Sequence, residues 1–78
     1  MSTLTMDTRC EALFVSNLQS SQHPAAPAVR AAVRRTLQNL GVNDCAARVA
    51  QEFGDHPETA VLRMRWAREA IQEAYARQ

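Results

Sequence analysis

The sequence predicts an all-α fold, a small single-domain bundle of about four helices with a long C-terminal helix. Three observations support this class. Apolar residues recur at intervals of three and four along most of the chain, which is the period of an amphipathic helix. The run from Thr59 to Gln78 contains neither glycine nor proline and follows Pro57, so it can form one long helix. Glycines and prolines divide the upstream chain into shorter segments.

Composition limits the size of the core and the class of partner. The chain has 78 residues, 46% of them hydrophobic, and its aromatic residues are Phe14, Phe53, Trp66 and Tyr75. Such a length forms one domain, residues 1–78, whose small core often gains stability from self-association. The nine basic residues are all arginine and face eight acids, a net charge of +1. This balance is too even to hold nucleic acid by charge alone, so a homodimer or a protein partner is expected.

The cysteines and histidines predict neither a disulfide nor a metal site. Cys10 and Cys45 fall on apolar helical stripes, so we expect buried free thiols in a cytoplasmic protein. With His23 and His56 they could supply four zinc ligands, but neither cysteine has a second ligand close by in sequence. No apolar run reaches the about 18 residues that span a bilayer. No metal, cofactor or membrane contact is therefore predicted.

The first helix is expected to follow a frayed start at residues 1–7. The segment from Thr8 to Glu11 fits a capping box that opens the helix. Its apolar stripe is Cys10, Leu13, Phe14 and Leu18. Polar residues and Pro24 then predict a linker over residues 19–26.

Two further helices are predicted in the middle of the chain. Pro27 suits the first turn of the second helix, and Gly41 its C-terminal end. The second helix carries the apolar residues Val29, Val33, Leu37 and Leu40. The third would begin after Asn43 or Asp44 and close at Gly54. Its apolar residues are Cys45, Val49 and Phe53.

A basic cluster lies on the second predicted helix. Arg30, Arg34 and Arg35 are close enough in sequence to act together on an acidic partner. The alternative is an ordinary solvated helix face.

The fourth helix carries the candidate partner-binding residues. Asp55 is the expected cap, with Glu58 three residues on. The predicted core face is Ala60, Met64, Ala67, Ile71 and Tyr75. Leu62 and Trp66 lie four residues apart on the side away from this arc. They are either covered by the first helix or offered to a partner, since tryptophan is enriched where partners bind.

Residues 46–68 also carry a motif. Its positions are Val49-Ala50, Phe53-Gly54, Thr59, Arg63-Met64 and Ala67-Arg68. The segment resembles the helix-turn-helix of sigma-factor region 4 and of LuxR-type regulators. The resemblance implies that the second of its helices enters the major groove, with Thr59 and Arg63 facing the DNA. Asp55 departs from the pattern, which has an apolar residue at that position. The groove-facing side of the second helix would show Glu58, Thr59, Leu62, Arg63 and Trp66, a mixture that suits a protein surface better than a phosphate-lined groove.

The whole chain is similar to short uncharacterised actinobacterial proteins. The similarity rests on Ala-Leu-Phe at 12–14, Glu-Phe-Gly-Asp-His-Pro at 52–57 and Arg-Met-Arg-Trp at 63–66. It implies a bacterial, cytoplasmic origin. It implies no function.

Together the patterns predict a protein without catalytic residues. A nucleophile with a base, or two carboxylates across a pocket, is not evident in the sequence. We expect a small interaction or regulatory module that uses the outer face of its last helix around Leu62 and Trp66. The alternative is a helix-turn-helix transcriptional regulator that uses Thr59 and Arg63. A subunit of a larger assembly is a third option.

Overall fold

Three α-helices form the structure, a computed structural model that describes residues 4–76. They are α1 (Met6–Val15), α2 (Ala26–Asp55) and α3 (Pro57–Ala74), with one 3-10 turn at Ser20–Gln22. Each α-helix packs against the other two. No strand occurs among the described residues, and the expected all-α class is confirmed. None of the helices within residues 4–76 combines the length and apolar character needed to cross a membrane.

The first helix begins earlier than predicted. Thr5, and not Thr8, is its N-cap, and the Thr5 Oγ1 accepts a hydrogen bond from the backbone N–H of Thr8 at 3.1 Å. The capping-box pattern favoured Thr8, but Thr5 is also a suitable cap, and the helix begins one turn earlier. Met6 and Asp7, expected to be frayed, therefore belong to α1, while residues 1–3 lie outside the described part of the chain.

The same helix also ends before the predicted linker. Ser16 closes α1, since its hydroxyl donates to the Leu13 carbonyl at 2.7 Å. Leu18 lies beyond the helix but still packs against the core, as its place on the apolar stripe predicted. The connection to α2 then passes through the 3-10 turn and His23, whose φ of 47° is left-handed.

The second and third predicted helices are two segments of α2. Gly41 interrupts it with φ 83° and ψ 167°, a backbone conformation open essentially to glycine alone. The helix is therefore interrupted at Gly41, the residue at which the sequence predicted the end of the second helix. Because the two segments are counted as the single helix α2, the bundle has three helices instead of the predicted number of about four.

The junction between α2 and α3 is shorter than expected. Gly54 and Asp55 were predicted to close one helix and cap the next, but both lie within α2. His56 alone separates the helices, with φ −140° and ψ 66°. Pro57 is the first residue of α3, as predicted, because it has no N–H that would need a partner at that position.

The core is built from the apolar stripes that the sequence predicted. Its largest fully buried side chains are Cys10, Leu13, Val29, Val33, Cys45 and Ile71. Ala60 and Ala67 of α3 are also buried, while Met64 and Tyr75 are partly buried against the same cluster. Alanines at these contacts let the helices approach closely. The outer side of α3 faces solvent.

Candidate functional site

The outer face of α3 carries exposed aliphatic side chains. Leu62 is 61% exposed and its neighbour Val61 is 46% exposed. The first helix does not cover Leu62, because α3 turns the opposite side, with Ala60 and Ala67, toward the core. One of the two predicted partner-binding residues is thus open to solvent.

Trp66, the second predicted partner-binding residue, is half-buried. Its side chain packs against the core cluster and borders a shallow hollow of about 240 Å³ next to Pro24 and Ala26. The guanidinium carbon of Arg63 lies 5.1 Å from the centroid of the Trp66 ring, within the range of a cation–π contact. Trp66 therefore has a fixed position and only part of its ring is open to a partner.

Arg63, predicted from the motif to face DNA, binds the end of α1. Its Nε donates to the Phe14 carbonyl at 2.7 Å, and its Nη2 donates to the carbonyls of Ser16 and Leu18 at 2.9 Å each. A longer contact of 3.4 Å joins Nη2 to the Leu13 carbonyl. The last carbonyls of a helix have no intrahelical partner, and Arg63 supplies donors to them.

The positive charge of Arg63 is stabilised by the helix dipole and backbone carbonyls of α1 and not by an acidic side chain among the described residues. In the described part of the chain one ion pair joins Arg68 to Asp7 and a close contact joins His56 to Glu52, so neither includes Arg63. The negative end of the α1 dipole and the bound carbonyls favour the cation. Burial lowers the pKa of Arg63 from its ordinary value, but a guanidinium remains protonated in proteins.

Thr59, the other residue assigned to DNA by resemblance, lies in the first turn of α3. It is exposed, and its hydroxyl donates to the His56 carbonyl at 3.2 Å. Thr59 and Arg63 are one turn apart on α3, but Arg63 points its guanidinium toward α1. The structure does not bring the two side chains together as one exposed pair.

A second surface feature, an apolar groove edged by arginine, was not predicted. It has a volume of about 410 Å³, and we call it the arginine groove. Its lining includes Arg9, Arg30, Arg34, Leu37, Val42 and Tyr75. The sequence contained the signal, because Arg30, Arg34 and Leu37 recur at helical spacing, but it could not show that Arg9 and Tyr75 join them.

Two of the three arginines that line this groove, Arg9 and Arg30, make contacts that fix their position. The guanidinium carbon of Arg9 lies 4.0 Å from the centroid of the Tyr75 ring. Arg30 donates from Nη1 to the Ala74 carbonyl at the end of α3 at 2.8 Å. Arg34 is exposed. Arg35, which the sequence grouped with these residues, instead borders a separate hollow beside Asn17 and Arg48.

The remaining reactive side chains are dispersed. Cys10 and Cys45 are free and buried, as predicted, and burial raises the pKa of both thiols. No three histidine, cysteine or acidic residues within residues 4–76 are grouped closely enough to hold a metal ion. A polar cleft of about 600 Å³ beside Arg63 is lined by residues that include Gln19, Arg48 and Glu52.

Comparisons of the chain with protein-family models, with curated proteins and with solved structures each found no match.

Proposed function

We propose that this chain is a small non-enzymatic interaction module with a regulatory role, and that it binds a protein through the outer face of α3. The exposure of Leu62, 61% on an ordered helix, is the observation that supports this proposal most directly. Val61 extends the apolar surface along the same turn. Fully burying one such side chain stabilises a complex by about 1.5–3 kcal/mol.

Trp66 suits the centre of such an interface. Tryptophan is enriched among the residues that dominate binding energy. Here its ring is already immobilised by the core and by Arg63. Little side-chain freedom is therefore lost on binding, which lowers the entropic cost of association.

The test uses a photo-crosslinking amino acid at Val61 in the cells that express the protein. We expect one discrete protein adduct, which Leu62→Glu removes because it places a charge in the apolar contact. Leu62 is exposed, so Leu62→Glu should leave the helical circular dichroism and the melting temperature unchanged. The same crosslinker at Ala47, an exposed position on α2, is the matched control.

Equal adducts from positions 61 and 47, or an adduct that persists in Leu62→Glu, would rule out this face of α3. Trp66→Ala should also reduce the adduct, but it is a less direct test. Since Trp66 packs on the core, its removal should lower the stability of the fold as well.

DNA binding through α2 and α3 is the alternative proposal. It is favoured by the exposed position of Thr59 on α3, although the one-residue junction at His56 is shorter than the turn of about three or four residues typical of a helix-turn-helix. It is weakened by the engagement of Arg63 with α1, which leaves Thr59 without its expected partner. Amide NMR shifts confined to residues 50–68 on adding a short duplex, and reversed by salt, would favour this alternative.

A further inference from the structure

A stripe of four side chains runs along the outer face of α3. Two are apolar and the two that follow are acidic; in order they are Leu62, Trp66, Glu69 and Glu73. The steps of four, three and four residues keep all four within a narrow arc of the helix. Trp66, Glu69 and Glu73 border one surface hollow, which confirms that they share a side. We call these residues the α3 stripe.

The arginine groove contains a stripe with the same spacing on α2. Two basic residues come first, and the positions that follow are apolar or lack a side chain; in order they are Arg30, Arg34, Leu37 and Gly41. Val42, 45% exposed, stands beside Gly41. A Cβ built at Gly41 would meet no atom within 4 Å, so the surface there is open.

The charges and apolar residues of the two stripes are complementary when the two helices are antiparallel. Each runs over twelve residues, which is eleven steps of 1.5 Å or about 16 Å, and antiparallel alignment opposes acid to arginine and apolar to apolar. The opposed positions are Glu73 with Arg30, Glu69 with Arg34, Trp66 with Leu37, and Leu62 with Gly41 and Val42. We propose that the arginine groove of one molecule binds the α3 stripe of a second copy of this chain.

Charge and shape both favour this occupant. The residues that line the groove include three arginines and no acid, so an acidic helix is attracted to it and a basic helix is repelled. Gly41 leaves space for the Leu62 side chain, and Val42 and Leu37 give it apolar contact. The groove therefore selects a helix that is apolar at its start and acidic at its end.

In its own chain the groove lies against the end of α3, where Arg30 binds the Ala74 carbonyl beside Glu73, but the full length of the stripe cannot align with it. In one molecule α3 packs on α2 through its opposite side, where Ile71 has no exposed surface. The contact must therefore be made between molecules. This inference rests on the proposed function, because it names the partner of the same face of α3.

Charge reversal tests the contact by sedimentation equilibrium on the full chain. Arg34→Glu alters the groove and Glu73→Arg alters the stripe, and both residues are exposed. Each change should raise the dissociation constant of self-association by about tenfold or more, since like charges then face each other. Arg35→Glu and Gln72→Arg, exposed neighbours outside both stripes, are the matched controls and should leave it unchanged.

Two complementation experiments are more specific. The Arg34→Glu chain keeps an intact stripe and the Glu73→Arg chain keeps an intact groove, so a mixture of the two should associate more tightly than either variant alone. The double variant Arg34→Glu with Glu69→Arg should also recover self-association, because positions 34 and 69 oppose each other and their ion pair forms again with reversed sign.

Three outcomes would overturn the inference. They are an unmodified protein that stays monomeric at millimolar concentration, an Arg34→Glu chain that associates like the Arg35→Glu control, and a mixture of the two variants that gains no affinity. If the Val61 crosslink still depends on Leu62 in any of these cases, α3 binds another protein and the proposed function stands. If that dependence is also absent, both proposals fail.

Discussion

Arg63 is the residue whose role differs most from its sequence interpretation. The resemblance to a helix-turn-helix implied that Arg63 faces DNA. In the structure its guanidinium instead joins α3 to the carbonyls at the end of α1. The residues next to Arg63 in sequence do not predict this contact, because its partners lie 45 to 50 residues away in sequence. By contrast, the burial of Cys10 and Cys45 followed from apolar spacing alone.

Arg63→Ala should lower the free energy of unfolding by about 2 kcal/mol, since it leaves partly buried carbonyls without donors. Arg63→Lys should recover only part of this loss, because one ammonium group cannot match the geometry of a guanidinium. Urea denaturation measures both. Arg65→Ala, at an exposed position two residues on, is the control. Equal effects at positions 63 and 65 would show that the carbonyl contacts contribute no stability.

At the scale of the helices, interruptions were easier to predict than ends. The break at Gly41 was predicted because few residues other than glycine adopt its backbone conformation. The limits of α1 were wrong, since Thr5 caps the helix in place of Thr8, which had the capping-box pattern, and Ser16 ends it. The prediction that Asp55 caps the last helix was also wrong, because His56 alone joins α2 to α3.

The two glycines of α2 make a matched pair for mutation. Gly41→Ala should destabilise the protein by about 1–3 kcal/mol, because alanine at a φ of 83° is strained even where space is open. Gly54→Ala should instead stabilise it by about 0.5–1 kcal/mol, since Gly54 lies within the helix and also has open space around it. Thermal unfolding of both variants measures the difference. A shift of the same sign in both would contradict the assigned break at Gly41.

For the molecule as a whole, the two buried thiols predict how stability depends on pH. Burial raises the pKa of Cys10 and Cys45 above the ordinary 9.0, so the folded state favours the neutral thiol. Their stabilising effect is complete below pH 9.0 and is lost as the pH rises through the higher folded pKa. The melting temperature should therefore fall in that alkaline range, with a smaller slope for Cys45→Ala. An identical slope in Cys45→Ala would exclude a contribution from this thiol.

The whole fold was predictable as a class because helical periodicity is a local property. The apolar stripes identified the core faces of all the helices, including Ala60, Ala67 and Ile71 of α3. The arginine groove was not predictable, since it needs Arg9 and Tyr75 from opposite ends of the chain to meet beside α2. Surface features assembled from several helices depend on their packing, which periodicity does not specify.

The contact between Arg63 and α1 also has a consequence for the order of events during synthesis. The N-terminal helix leaves the ribosome first, but the donors that complete its end arrive 45 to 50 residues later. Ile71, which shares the core with Leu13, arrives later still. A nascent chain stalled before α3 should therefore remain sensitive to protease, and the domain should acquire resistance only after its final helix has been released.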